Sequence, residues 1–215
     1  MSNPIMPDGA AVRPLVRLVD DDVEFLRSQK FFLETFLPEV RTWESAEAFL
    51  ADDDLTRPGC LVLDIRMSGM SGLELQRLLE MRHSTLRIIF LSAHGDIGTA
   101  VHAMRHGALD FLEKPVEPEV LLEKVRKAVD ASMTDFAHER EIHQIEARLL
   151  SLTGREREVL DLAIEGLQNK EIAEKLGISV TTVKMYRSNA FIKLDVNSPL
   201  AAANLLHKLP SPQGA

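Results

Sequence analysis

Five times in its first 130 residues the chain follows a short apolar run with a longer stretch of helical periodicity. The apolar runs are Leu15–Val19, Val40–Trp43, Cys60–Leu63, Ile88–Leu91 and Phe111–Leu112. The helical stretches are Val23–Phe36, Ala46–Ala51, Leu73–Arg82, Ile97–Arg105 and Glu119–Ala131. Repeated strand-then-helix order implies a parallel sheet covered on both faces. Right-handed crossovers favour a doubly wound α/β fold, and five strands suit the order 2-1-3-4-5. Such sheets gather their chemistry at the carboxyl ends of the strands.

Beyond residue 132 no strand pattern recurs. Residues 133–150 read as a helical linker, with Ile142, Ile145, Leu149 and Leu152 at heptad-like spacing over a stretch too short for a coiled coil. Arg155–Glu165, Lys170–Leu176, Thr181–Phe191 and Ser198–Lys208 read as four short helices. The expected plan is a disordered N-terminus over 1–13, an α/β domain over 14–132, the linker, an all-α domain over 151–208 and a frayed tail over 209–215.

The net charge of -8 hides an uneven distribution. Residues 1–150 hold 17 Lys/Arg against 26 Asp/Glu, whereas residues 151–215 hold 8 against 7. From Ser179 to Leu194 there is no acid, while Lys184, Arg187 and Lys193 are basic. The local field matters for a polyanionic partner, so the second domain can meet nucleic acid although the whole chain is acidic. Cys60 is the single cysteine, flanked by apolar residues, and reads as a buried strand thiol suited to a reducing cytoplasm. The first residues lack a basic flank before an apolar core, and no run reaches bilayer length, so neither a signal peptide nor a membrane partner is expected.

The strand ends carry the polar residues. Asp20, Asp21 and Asp22 follow the first strand, Asp64 ends the third, Ser92 ends the fourth and Lys114 follows the fifth. In the expected strand order these four strands are neighbours, so the side chains converge on one rim. Carboxylates about 4 Å apart repel by roughly 4 kcal/mol at an effective dielectric near 20. A hard divalent cation relieves that conflict, and oxygen ligands suit Mg2+, with Mn2+ as an alternative. An Asp beside such a cation, with a Lys and a hydroxyl nearby, can attack a phosphoryl donor. Taken singly, each residue has an ordinary role as a helix cap, a turn residue or a solvated strand end.

The segments L-V-D-D-D (18–22), V-L-D-I-R-M-S-G-M-S-G (62–72), F-L-S-A-H-G-D (90–96) and D-F-L-E-K-P (110–115) resemble the CheY-like receiver domain of two-component response regulators, with the FixJ-like group nearest. The resemblance implies that Asp64 is the phosphoacceptor. It also implies a metal site made by Asp20, Asp21, Asp64 and the backbone carbonyl of Arg66. Ser92 and Lys114 would contact the phosphoryl group, Phe111 would change rotamer, and Lys114–Pro115 would be a cis peptide. Asp22 reads instead as the opener of the first helix. A sensor histidine kinase is the implied donor, and a homodimer the implied product of phosphorylation. Beyond assisting its own phosphoryl transfer and dephosphorylation, such a domain is not an enzyme. Ser68 stands where this family commonly has proline, which leaves the loop after Asp64 less rigid. An aspartyl-phosphate phosphatase of the haloacid-dehalogenase kind would need a second acid two residues after Asp64, where this chain has Arg66.

Asn169–Arg187 fits a helix-turn-helix, with Ile172, Leu176, Ile178, Val183 and Tyr186 apolar, Ala173 at the close approach, Gly177 in the turn and Ser179 as a cap. At about 100° per residue, Val183, Tyr186, Ala190 and Leu194 share one face. Thr181, Lys184, Met185 and Ser188 share the other, as a helix entering the major groove requires. A helical hairpin for protein contacts would carry a similar turn. L-T-G-R-E-R-E-V-L (152–160), N-K-E-I-A-E-K-L-G-I-S (169–179) and T-V-K (182–184) resemble the LuxR-type DNA-binding domain. The resemblance implies phosphate contacts from Lys170, Thr182 and Arg187, binding to paired half-sites of double-stranded DNA, and RNA polymerase as a further partner. Two positions depart from it: Tyr186, where histidine is common, and Asp195, where glycine is common. Ser198–Lys208 reads either as a dimer element, through Leu200, Ala203, Leu205 and Leu206, or as core.

Overall fold

The computed structural model describes residues 12–93 and 97–210, as two compact units dividing between Ala137 and His138. Residues 1–11 of the N-terminus, 94–96 of the fourth-strand motif and 211–215 of the tail lie outside the described residues. Val12 is buried, and the Arg13 carbonyl accepts a 2.7 Å hydrogen bond from Arg57 Nε.

In the first unit the elements are β1 (Leu15–Val19), α1 (Val23–Glu34), β2 (Val40–Trp43), α2 (Ala46–Asp52), β3 (Gly59–Asp64), α3 (Gly72–Met81), β4 (Arg87–Ser92), α4 (Ile97–Arg105), β5 (Asp110–Glu113) and α5 (Pro118–Leu150). The strands form one parallel sheet in the order β2-β1-β3-β4-β5. Alternate residues point to opposite faces, and both faces are covered. Leu15, Val19, Leu61, Leu63 and Phe90 pack with Phe49 of α2, Leu75 of α3 and Ala103 of α4. Val16, Leu18, Val62, Ile89 and Leu91 pack with Leu26 and Leu33 of α1 and Leu121 and Val125 of α5. This two-sided burial is why the inner strands read as continuous apolar runs.

Arg17 breaks that rule, because it lies in β1 and is fully buried. Its Nε donates to Asp53 Oδ2 at 2.7 Å, and its other nitrogens reach the carbonyls of Leu15, Asp54 and Arg57. One guanidinium therefore ties the connection after α2 back onto the central strands. A buried charge is tolerable only when its donors are satisfied in this way.

Strand register sets the rim. Val19 pairs with Leu63, Asp64 with Leu91 and Ser92 with Glu113, so Asp20, Asp64, Ser92 and Lys114 emerge nearly level. Helix caps hold the intervening turns. Asp22 Oδ1 accepts from Phe25 N at 3.0 Å and opens α1, as its position implies. Ser71 and Glu74 form a reciprocal capping box at α3. The first residue of α3 must be glycine: a Cβ on Gly72 would lie 2.2 Å from the Asp64 carbonyl oxygen.

α5 does not end near residue 131. It contains neither Gly nor Pro after Pro118 and continues to Leu150, so the segment read as a separate linker is the same helix. Within the first unit it is fastened past residue 131, where the expected helix stopped. Buried Ser132 Oγ accepts from Gly59 N at 2.9 Å and donates to the Thr85 carbonyl, and Asp135 pairs with Arg87.

The second unit is helical. From His138 onward α5 contributes buried Ile145, and Leu149 packs with Leu160, Ala190, Leu194 and Ala202. Of the heptad-like stripe, Ile145 is buried, Leu149 and Leu152 pack on this unit's core, and Ile142 is half-buried. α6 (Gly154–Ile164), α7 (Asn169–Leu176), α8 (Val180–Leu194) and α9 (Pro199–Leu206) follow. Gly177 closes α7 at φ 65, in the left-handed region that favours glycine. Ser179 Oγ then accepts from Thr182 N to start α8.

Candidate functional site

The rim residues meet in a cavity of about 170 Å³ lined by Asp20, Asp21, Asp22, Asp64, Arg66, Ser92, Ala93 and Lys114. Lys114 directly follows β5 and is joined to Pro115 by a cis bond, as the resemblance implies, and its ammonium stands between two carboxylates. Nζ lies 2.7 Å from Asp64 Oδ1 and 2.5 Å from Asp20 Oδ2. The same ammonium sits 4.6 Å from the centroid of the Phe25 ring. Burial opposes the charged form of Lys114, but the hydrogen bonds and charges of Asp20 and Asp64 outweigh it and hold its pKa above the ordinary value. In Asp20 the balance reverses: burial raises its pKa more than Lys114 and the Asp22 amide lower it.

Both oxygens of Asp64 are engaged, since Oδ2 accepts from Arg66 N at 2.6 Å. Ser92 is buried at the cavity wall, and Phe111 is half-buried against the core on the α4 side of the sheet. Four acids against the two cations Lys114 and Arg66 leave the site with excess negative charge, and every side-chain donor to a metal would be oxygen. That chemistry fits Mg2+, a hard cation that takes oxygen ligands. Among the described residues no three His, Cys, Asp or Glu side chains are grouped as a ready-made metal site.

Two contacts here carry no sequence signature. Ser68 N donates to Asp21 Oδ2 at 3.0 Å, and Met70 N donates to Glu47 Oε1 of α2 at 2.8 Å. The loop after Asp64 is therefore held at three alternate amides, contrary to the looseness expected from losing proline at position 68.

In the second unit Val183, Ala190 and Leu194 are buried and Tyr186 packs on the core, while Thr181, Lys184, Met185, Ser188 and Lys170 are exposed. Thr182 and Arg187 are half-buried and partly occupied. Thr182 Oγ1 lies 2.8 Å from Ser179 Oγ, and Arg187 Nη1 donates to Asn169 Oδ1 at 3.0 Å with its guanidinium over the Phe191 ring. Lys193 is withdrawn from the cationic surface that the charge count assigned to it. Its Nζ bonds Glu156 Oε2 at 2.6 Å and the Ser151 carbonyl. Asp195 takes the left-handed conformation at φ 58 and closes α8. In α9 Ala202 is buried and Leu205 packs on the core, whereas Leu200 is 71% exposed.

A profile of the response regulator receiver domain matches residues 16–126, and one of the luxR family of bacterial regulatory proteins matches residues 150–206. The transcriptional regulatory protein FixJ of Azorhizobium caulinodans is 39% identical over 85% of this chain and 87% of its own. The chain belongs to the two-component response regulators, in their FixJ-like group. TdiR of Thauera aromatica, a transcriptional regulatory protein, is 40% identical over 89% of this regulator and 83% of its own length. The solved structure of the response regulator StyR covers 91% of this chain and 98% of its own, with TM-score 0.84 and 42% identity. The regulator is thus a phosphorylation-controlled transcription regulator with a receiver and a LuxR-type DNA-binding domain, in a family that does not consist of ordinary enzymes. Among the described residues no helix is long and apolar enough to cross a membrane.

Proposed function

We propose that Asp64 accepts the phosphoryl group, that Asp20, Asp21, Asp64 and the Arg66 carbonyl hold Mg2+ or Mn2+ for this step, and that the modified receiver dimerises and raises DNA affinity in the cytoplasm. The observation that carries the reading is Lys114 Nζ bridging Asp64 and Asp20 inside one acid-lined cavity. An Asp64 oxygen attacks phosphorus, the P–N bond to the kinase histidine breaks, and its electron pair stays on the imidazole nitrogen. A bound cation supplies charge neutralisation at the phosphoryl oxygens. Lys114 adds a second positive charge there, and the Arg66 amide holds the nucleophile in place. Ser92 then meets the phosphoryl oxygens, and Phe111 turns inward to relay the change.

Thr181, Lys184, Met185 and Ser188 read bases in the major groove, while Lys170, Thr182 and Arg187 meet phosphates. The pairing of Arg187 with Asn169 leaves guanidinium donors for that purpose. Single domains of this size bind weakly, so paired half-sites and a dimer follow. Exposed Leu200 supports α9 as the dimer element, and Ala202 and Leu205 anchor that helix. RNA polymerase is the natural further partner. The test is DNA affinity and oligomeric state of the full chain with a small acyl phosphate donor, with and without chelator. The reading requires a dimer and tighter binding only when donor and cation are both present; equal binding in all arms contradicts it.

A further inference from the structure

Asp21 is exposed, whereas Asp20 and Asp64 are buried, so its position has to be set by something other than packing. Its Oδ2 accepts from Ser68 N at 3.0 Å, with Ser68 Oγ at 3.5 Å. The loop is anchored on either side of that contact, by Asp64 Oδ2 on Arg66 N at 2.6 Å and by Glu47 Oε1 on Met70 N at 2.8 Å. One oxygen of Asp21 is therefore held by an amide that is itself fixed at both flanks.

We propose that Ser68 is a positioning residue for the cation: its amide holds Asp21 Oδ2 so that the carboxylate is already oriented for metal. The proposal rests on the reading that Asp21 is a cation ligand. A carboxylate on an exposed loop loses rotamer freedom when it binds a metal, and a prior hydrogen bond supplies that ordering beforehand. A proline here would have no N–H and could not make the contact. The amide is the important donor, because 3.5 Å is a weak distance for the hydroxyl.

The experiment is Mg2+ titration of the full chain by calorimetry, for wild type, Ser68→Pro and Ser68→Ala. A net hydrogen-bond contribution of ordinary size corresponds to about three- to tenfold in affinity. Ser68→Pro, which removes the amide donor, is expected to weaken Mg2+ by that factor. Ser68→Ala returns the N–H and is expected to restore the wild-type value to within about twofold. Because proline can also disturb the loop, the Ser68 amide is followed by NMR in metal-free Asp21→Ala: a large upfield shift of its proton is expected. Equal Mg2+ affinity in wild type and Ser68→Pro overturns the proposal while leaving Asp21 as a ligand, as does an unmoved Ser68 resonance. Absence of Mg2+ binding in wild type overturns the underlying cation reading.

Discussion

Lys114 Nζ lies 2.7 Å from Asp64 Oδ1, so the residue that follows β5 places a positive charge directly on the acid that ends β3. The ammonium and a divalent cation therefore compete for the same negative charge before transfer and cooperate on the phosphoryl group during it. Lys114→Met should separate these effects. Mg2+ should bind about threefold tighter or more, because a unit charge a few ångströms away is removed. Phosphoryl uptake from a small donor should nevertheless slow by about a hundredfold, the usual cost of losing one charge-stabilising donor. Weaker Mg2+ binding together with unchanged uptake would contradict the account of Lys114.

Glu156 and Lys193 give the second unit its own pH dependence. The Lys193 hydrogen bond, helped by the Thr153 amide, holds the Glu156 carboxyl below its usual pKa. A depressed carboxylate contributes stability that is complete above the unfolded value, about 4.3, and is lost as pH falls through the folded value. Glu156→Gln should cost about 1–2 kcal/mol at pH 7, and its stability should fall less on acidification below pH 5. Tyr186 is the one tyrosine in the chain, and its ring resonances report this unit during denaturation. A variant as stable as wild type at pH 7 would mean that the ion pair contributes nothing.

Lys184 and Ser188 share the exposed face of α8 but should fail differently. Lys184→Ala should weaken both specific and nonspecific binding, because a cation in the groove contributes to each, and flatten the salt dependence. Ser188→Ala should mainly relax base preference, by about 1–3 kcal/mol if the hydroxyl reads a base. Binding isotherms at two salt concentrations separate the two outcomes. Unchanged affinity and preference in both variants would show that the recognition face lies elsewhere.

The parts of this architecture legible in the sequence were those with a period or an end. β1 and β2 appear over the residues expected, and the acids at strand ends converge because parallel register aligns those ends. Gly177 was legible from its place between two helices, and Asp22 from its place ahead of α1. Contacts between residues far apart in the chain were not. Arg17 looks like one polar residue in an apolar strand, yet it organises the segment 53–57. Lys193 looks like a free cation until folding brings Glu156 beside it. Ser68 looked like a loss of rigidity, because proline's fixed φ is visible in a sequence whereas a backbone amide reaching Asp21 is not. The length of α5 was not legible either: the patterning changes after residue 132, but backbone hydrogen bonding needs no amphipathic stripe to continue to Leu150.

The central claim is that Asp64 is the phosphoacceptor and works with a divalent cation. Intact-mass measurement of the full chain, incubated with a small phosphodonor, tests it most directly. Wild type with Mg2+ should gain one phosphoryl group, about 80 daltons, on an acyl linkage. Asp64→Asn should gain none, and chelator should suppress the wild-type gain. An undiminished gain in Asp64→Asn, or full transfer in the presence of chelator, would contradict the account.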